Sequence, residues 1–150
     1  MAMDHLTDPQ KGAWKSLLKA QARINRRCER AMLDAGGVTL EVYDVLVTLE
    51  CAPSMRLRMS DLADRVLLSR SGVTRLVDRL EGKGLIQRAA CQHDKRCQWA
   101  QLTAAGLKVR EASWRIYEPQ LVALWGSRLD DKAALDLTKF FDSLAAEPTP

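Results

Sequence analysis

The feature that most constrains this chain is a change of apolar period near Gly84. Before it, Val73, Leu76, Val77 and Leu80 recur at the i, i+3, i+4, i+7 spacing of a helix with one buried stripe. After it, Leu85–Ala90 and Cys97–Leu102 alternate as two strands joined by the polar turn Gln92-His93-Asp94-Lys95-Arg96. Upstream, Ser60 is placed to cap a short helix, Asp61–Val66, with Leu62, Ala63 and Val66 facing inward. A Leu67-Leu68 turn follows, and Ser69 is placed to cap the second helix, which ends near Gly82 or Gly84. Two short helices across a tight turn, then a hairpin, predict a helix-turn-helix with a β wing.

The chemistry of the exposed positions agrees. Ser71, Thr74, Arg75, Asp78 and Arg79 fall opposite the apolar stripe of the second helix. A helix fits the major groove of duplex DNA, and Arg bonds bidentately to guanine O6 and N7. Small residues at the helix start, Ser69, Ser71 and Gly72, let its N-terminus approach a phosphate. Between Ser54 and Ala100 stand ten Lys and Arg against five Asp and Glu, leaving thirteen against fourteen elsewhere. The net charge of +4 is therefore a property of the middle third, as expected of a polyanion-binding module on a neutral frame. The candidate DNA contacts are Ser69, Arg70, Ser71, Thr74, Arg75 and Arg79 on the helix, with Lys95 and Arg96 at the hairpin turn.

The flanks read as helices. Asp8 is placed as an N-cap, with Pro9 at the first helical position and Gly36-Gly37 as the stop after Ala35. Trp14, Leu17, Leu18, Gln21, Ile24, Cys28, Ala31 and Met32 share one face of that helix, while Arg23, Arg26, Arg27 and Arg30 lie on a solvated one. Thr39 caps a helix from Leu40 to about Cys51, and Arg56-Leu57-Arg58 is long enough for one edge strand. Thr103 caps a helix reaching about Trp125, with a kink expected at Pro119; a last helix opens at Leu129-Asp130. The fold class is thus mainly α with a small β hairpin (α+β). It is one domain over 1–150: a winged helix-turn-helix at 54–102 between scaffold helices at 8–52 and 103–146. The apolar stripes of the first and last helices, including Leu135, Phe140 and Leu144, are too long for a core of this size and call for a second copy of the chain.

At these residues the sequence resembles the MarR (multiple antibiotic resistance regulator) family. The resemblance rests on Leu57-Arg58-Met59-Ser60-Asp61-Leu62-Ala63-Asp64 and on Ser69-Arg70-Ser71-Gly72-Val73-Thr74-Arg75-Leu76-Val77-Asp78-Arg79-Leu80-Glu81. It continues through Gly84-Leu85-Ile86 and Asp94-Lys95-Arg96 to Leu102-Thr103-Ala104-Ala105-Gly106. It implies a cytoplasmic homodimer reading an inverted-repeat operator in double-stranded DNA, with repression relieved by a small aromatic or anionic effector. By the same resemblance, Ser71, Thr74 and Arg75 contact bases and phosphates, and Asp94 with Arg96 forms the wing pair, the acid orienting the hairpin. The chain departs from the family in carrying Cys97 where Gly usually follows the wing Arg, a residue that lacks glycine's freedom at positive φ.

Other functions find less support. With only His5 and His93, no nucleophile–base–orienter set can be assembled, so an enzyme is not expected. Cys91, His93 and Cys97 lack the spacing and the fourth ligand of a structural zinc site, and neither metal nor cofactor is expected. No segment reaches the roughly 18 apolar residues of a membrane span, and no signal peptide is read at the N-terminus, which carries Asp4 and Asp8. In the cytoplasm the four cysteines are expected as inert thiols, with a Cys91–Cys97 redox pair across the hairpin as the alternative. Trp14, Tyr43, Trp99 and Trp114 are candidates for an effector pocket, although core packing accounts for each of them. A winged-helix protein–protein module without DNA contacts is the competing function.

Overall fold

The apolar spacings become six α-helices and three strands in a computed structural model that describes residues 5–66, 68–91 and 97–145. In order they are α1 (Asp8–Asp34), α2 (Leu40–Glu50), β1 (Arg56–Arg58), α3 (Met59–Arg65), α4 (Arg70–Gly82), β2 (Ile86–Ala90), β3 (Gln98–Leu102), α5 (Ala104–Leu124) and α6 (Asp131–Ala145). The strands form one antiparallel sheet in the order β1-β3-β2. Its register sets Leu57 and Arg88 on either side of Ala100, and Ile86 opposite Leu102. That face of the sheet turns toward the helices.

One core serves the centre of the chain. Val45, Leu46 and Leu49 of α2 meet Leu57, Leu62 and Ala63, the α4 stripe Val73, Leu76, Val77 and Leu80, and Ile86, Ala100 and Leu102 of the sheet. The expected inward stripe of α4 is therefore buried in full, at about 1.5–3 kcal/mol for each large side chain removed from water. Ser69 caps α4 by accepting from the Gly72 N–H at 3.1 Å, and Thr39 and Thr103 cap α2 and α5 likewise. Gly84, at φ +70, turns the chain from α4 into β2.

Two local expectations are corrected. Thr7, not Asp8, caps α1, because Thr7 and Gln10 form a reciprocal capping box that an Asp8 cap would forgo. Helix α3 starts at Met59 behind Arg58, which makes no side-chain cap; Ser60 lies in the first turn with its hydroxyl on Asp61 at 3.3 Å. The first helical turn thus begins directly off strand β1. Helix α5 runs on through Pro119 to Leu124, a short 3₁₀ turn covers Gly126–Arg128, and α6 follows, with Asp130 accepting from the Ala133 N–H at 2.8 Å.

The start of α5 is tied closely to the turn before β2. The Thr103 N–H donates to Leu85 O at 3.1 Å, and its hydroxyl donates to Gly84 O at 2.7 Å. Gly106 lies so close that an added Cβ would sit 2.2 Å from Leu85 O and 2.7 Å from a Leu102 methyl. The glycine is required by this approach of helix to strand, not by its own backbone angles.

The flanking helices lack such a core. Only Cys28 and Met32 of α1 are fully covered, and no residue of α6 is. Trp14 is 55% exposed, Phe140 55%, Leu135 62% and Leu144 63%, and Trp125 is also open. An apolar groove of about 430 Å³ runs between Ala20 and Ile24 of α1 and Leu124, Trp125 and Leu129. Large apolar side chains in such number and continuity mark a surface meant for burial, and a second copy of the chain covers it most simply.

Two outcomes follow. Gly106→Ala should destabilise the protein by about 1–3 kcal/mol in denaturant unfolding, since backbone and core must both shift. Sedimentation should find a dimer, with no stable folded monomer at micromolar concentration.

Candidate nucleic-acid interface

Burial of its apolar stripe leaves α4 presenting Arg70, Ser71, Thr74, Arg75, Asp78 and Arg79 to solvent. Each of the sequence-derived helix contacts is on that exposed side. The Ser69 and Ser71 hydroxyls lie 3.3 Å apart at the capped N-terminus. Arg70 pairs across the turn with Asp64 of α3 at 3.6 Å; both are open to water, so the pair contributes little energy. Thr74 donates its hydroxyl to Arg70 O at 3.0 Å, and Arg75 Nε donates to Ser71 O at 3.3 Å. These one-turn bonds lay the Arg75 side chain along the helix. Among the described residues, its two terminal nitrogens make no hydrogen bond. The wing residues Asp94, Lys95 and Arg96, and His93 with them, lie outside the described residues.

Behind this face stands a residue that its place in the sequence does not single out. Arg88 of β2 reaches Asp78 at 2.6 Å and Thr74 O at 3.3 Å, and Glu81 accepts from its backbone N–H at 3.0 Å. In sequence Arg88 is one basic residue among ten, and only the sheet register discloses that it points toward the helix. A second pair, the half-buried Arg110 and Glu50, joins α5 to α2 and keeps Arg110 even more firmly protonated than usual, chiefly through that hydrogen bond.

The wing cysteines depart from the reduced state expected of all four. Cys91 and Cys97 are joined by a disulfide with their Cα atoms 5.4 Å apart, while Cys28 and Cys51 are free. The reason is register. The two residues follow directly on the β2–β3 ladder and share a backbone hydrogen bond, Cys91 N–H to Cys97 O at 3.1 Å, which sets their side chains at bridging distance.

The four candidate pocket aromatics do not converge. Tyr43 and Trp114 stack at 6.4 Å, with Tyr117 edge-on to both at 5.2 and 5.8 Å. Trp14 stands exposed near the start of α1. Trp99 lies on the outer face of the sheet, beneath the guanidinium groups of Arg56 and Arg58 at 4.8 and 5.7 Å. Spacing could not separate them, because each belongs to a different element. A groove of about 300 Å³ does adjoin the tyrosines, lined by Asn25, Leu40, Glu41, Tyr43, Asp44, Leu68 and Tyr117. Burial there pushes the Asp44 carboxyl up, and pushes the Tyr117 phenol up with help from Cys28 and Asp44.

Comparison with known proteins fits this geometry. The MarR family model matches residues 38–98, the stretch from the start of α2 to the start of β3. Over that stretch the chain is similar to the MarR family, and its fold is that of MarR-family structures. Among MarR-family structures, Sco3205 of Streptomyces coelicolor, a transcriptional regulator solved in complex with DNA, superposes with a TM-score of 0.86 at 28% identity, covering 99% of this chain and 93% of that one. The HTH-type transcriptional regulator PrsX of Escherichia coli is 29% identical over 122 residues, 79% of this chain and 74% of its own. The transcriptional repressor MprA of Escherichia coli strain K12 is 36% identical over 75 residues, half of this chain and 43% of MprA.

The disulfide gives the chain a checkable thiol count. Denatured without reductant, it should show two titratable thiols, those of Cys28 and Cys51, and all four after reduction.

Proposed function

We propose that the chain is a transcriptional regulator that binds double-stranded DNA sequence-specifically, as a homodimer on an inverted repeat, and represses until a small ligand releases it. The observation that carries this reading is the exposed face of α4. A capped helix N-terminus, two hydroxyls and the Arg75 guanidinium line up on the side that a rigid core holds outward. Like-arranged helices read the major groove, with Arg and hydroxyl side chains at base edges and the N-terminus at a phosphate.

The remaining parts take roles from that placement. Lys95 and Arg96 anchor the wing to backbone and minor groove, and Asp94 orients it. The winged helix-turn-helix at 54–102 is the reading unit, and 8–52 with 103–146 is the dimer scaffold, all within one domain. The regulator acts in the cytoplasm and has no enzymatic step; the relatives it resembles are named as regulators, and among the described residues no helix is long and apolar enough to cross a membrane. The tyrosine-lined groove is the place for an effector. Its charged side chains are the carboxylates of Glu41 and Asp44, so of the aromatic or anionic effectors that the resemblance implies it favours a neutral or cationic aromatic one. Nothing in the geometry favours a protein partner at α4 over DNA.

The test separates reading from anchoring on operator fragments selected from genomic DNA by the purified protein. Arg75→Ala should cost about 1–3 kcal/mol on the operator and relax preference at one symmetric pair of base positions. Arg96→Ala should weaken operator and scrambled DNA alike and lower the salt slope by roughly one for each phosphate it no longer neutralises. Equal weakening on both DNAs from Arg75→Ala would show that α4 does not read sequence.

A further inference from the structure

Arg88 makes more polar contacts to α4 than any side chain of the sheet needs for its own strand. It stands on the inner face, opposite Ala100, with its side chain only 20% exposed. From there Nη1 meets Asp78 Oδ1 at 2.6 Å, Nη2 donates to Thr74 O at 3.3 Å, and Nε lies 4.0 Å from Glu81 Oε2. The other Glu81 oxygen accepts from the Arg88 backbone N–H at 3.0 Å. Positions 74, 78 and 81 form a single stripe along α4, beside the buried stripe at 73, 76, 77 and 80. One guanidinium therefore spans about two turns of the helix, including the backbone of Thr74 on the reading face.

We infer that Arg88 is a positioning residue for DNA reading: its planar fork sets the rotation of α4 about its own axis and ties that helix to the wing strand. This rests on the reading of α4 as the recognition helix. Apolar packing alone leaves a helix some freedom to roll, because a buried Val or Leu tolerates small rotations that a short, directional ion pair does not. At the reading face such a roll displaces Thr74 and Arg75 from the base edges, and bidentate hydrogen bonds are the first to fail under such shifts. The Nε, buried without a hydrogen bond of its own, is oriented by the two ends of the fork and by the nearby Glu81 charge. Arg88 also neutralises Asp78, an acid on the exposed side of α4 that would otherwise repel phosphate. The link continues to the wing. Three residues beyond Arg88, Cys91 is bonded to Cys97 at the far end of the same ladder, so helix and wing base are joined through one strand.

Charge and geometry are separable by substitution. Arg88→Lys keeps the cation but cannot hold a carboxylate and a carbonyl in one plane. It should keep the salt slope and the affinity for scrambled DNA while lowering operator preference over scrambled DNA about tenfold. Asp78→Asn, which breaks the same pair from the helix side, should lose preference similarly while binding scrambled DNA no more weakly than wild type. Combined, the two changes should cost little more preference than either alone, because both remove one coupling. Circular dichroism before each titration checks that the variants remain folded at the assay temperature. Full preference retained in Arg88→Lys overturns the inference, as does a parallel fall on both DNAs. Wild-type protein without salt-dependent DNA binding would overturn the function itself, a different result from either.

Discussion

The burial of Val73, Leu76, Val77 and Leu80 is the constraint on which the rest depends. Four large side chains at helical spacing can be covered on one side only, so covering them decides which residues of α4 remain in water. Everything the interface offers follows from that choice: the serine cap, the Thr74 hydroxyl and the Arg75 fork are presented because their opposite face is committed to α2 and the sheet. The polar belt of Asp78, Glu81 and Arg88 runs along the border between the two faces. Non-directional packing chooses the face, and the directional belt refines its angle.

The sheet gives this helix its support with little chain. Three short strands suffice because β3 is central, with β1 pairing on one side and β2 on the other. The turn into β2 is locked to the start of α5 by Thr103 and by the close fit of Gly106 against Leu85. Through that contact the sheet is attached to a helix whose far end carries Val122 and Trp125 at the open apolar surface. The tyrosine-lined groove lies between these regions, touching α1, α2, α5 and Leu68 just before the α4 cap.

Much of this was legible in the residues. The spacing of the α4 stripe, the Ser69, Thr39 and Thr103 caps and the period change at Gly84 all have local causes, and each appears where local physics puts it. Where two local signals competed, the outcome was harder to read. Asp8 before Pro9 is a sound cap by itself, yet Thr7 with Gln10 satisfies two backbone donors reciprocally and prevails. Ser60 has no cap role because the chain enters α3 straight from a paired strand. Periodicity placed Trp14, Tyr43, Trp99 and Trp114 on their elements without saying which would meet, and only Tyr43 and Trp114 do.

Local residue order was enough for the elements, the buried side of α4, the excess of positive charge around it and the likeness to a family, because these depend on neighbours within a turn or a strand. Long-range pairings had to wait for the packed chain. Arg88 and Asp78 are ten residues apart and on different elements, and nothing in composition distinguishes this arginine from those in water. Cys91 and Cys97 became partners rather than two thiols because the β2–β3 register ends with them face to face. Contacts of this kind depend on register and helix rotation, and those are settled by the packing of the whole core.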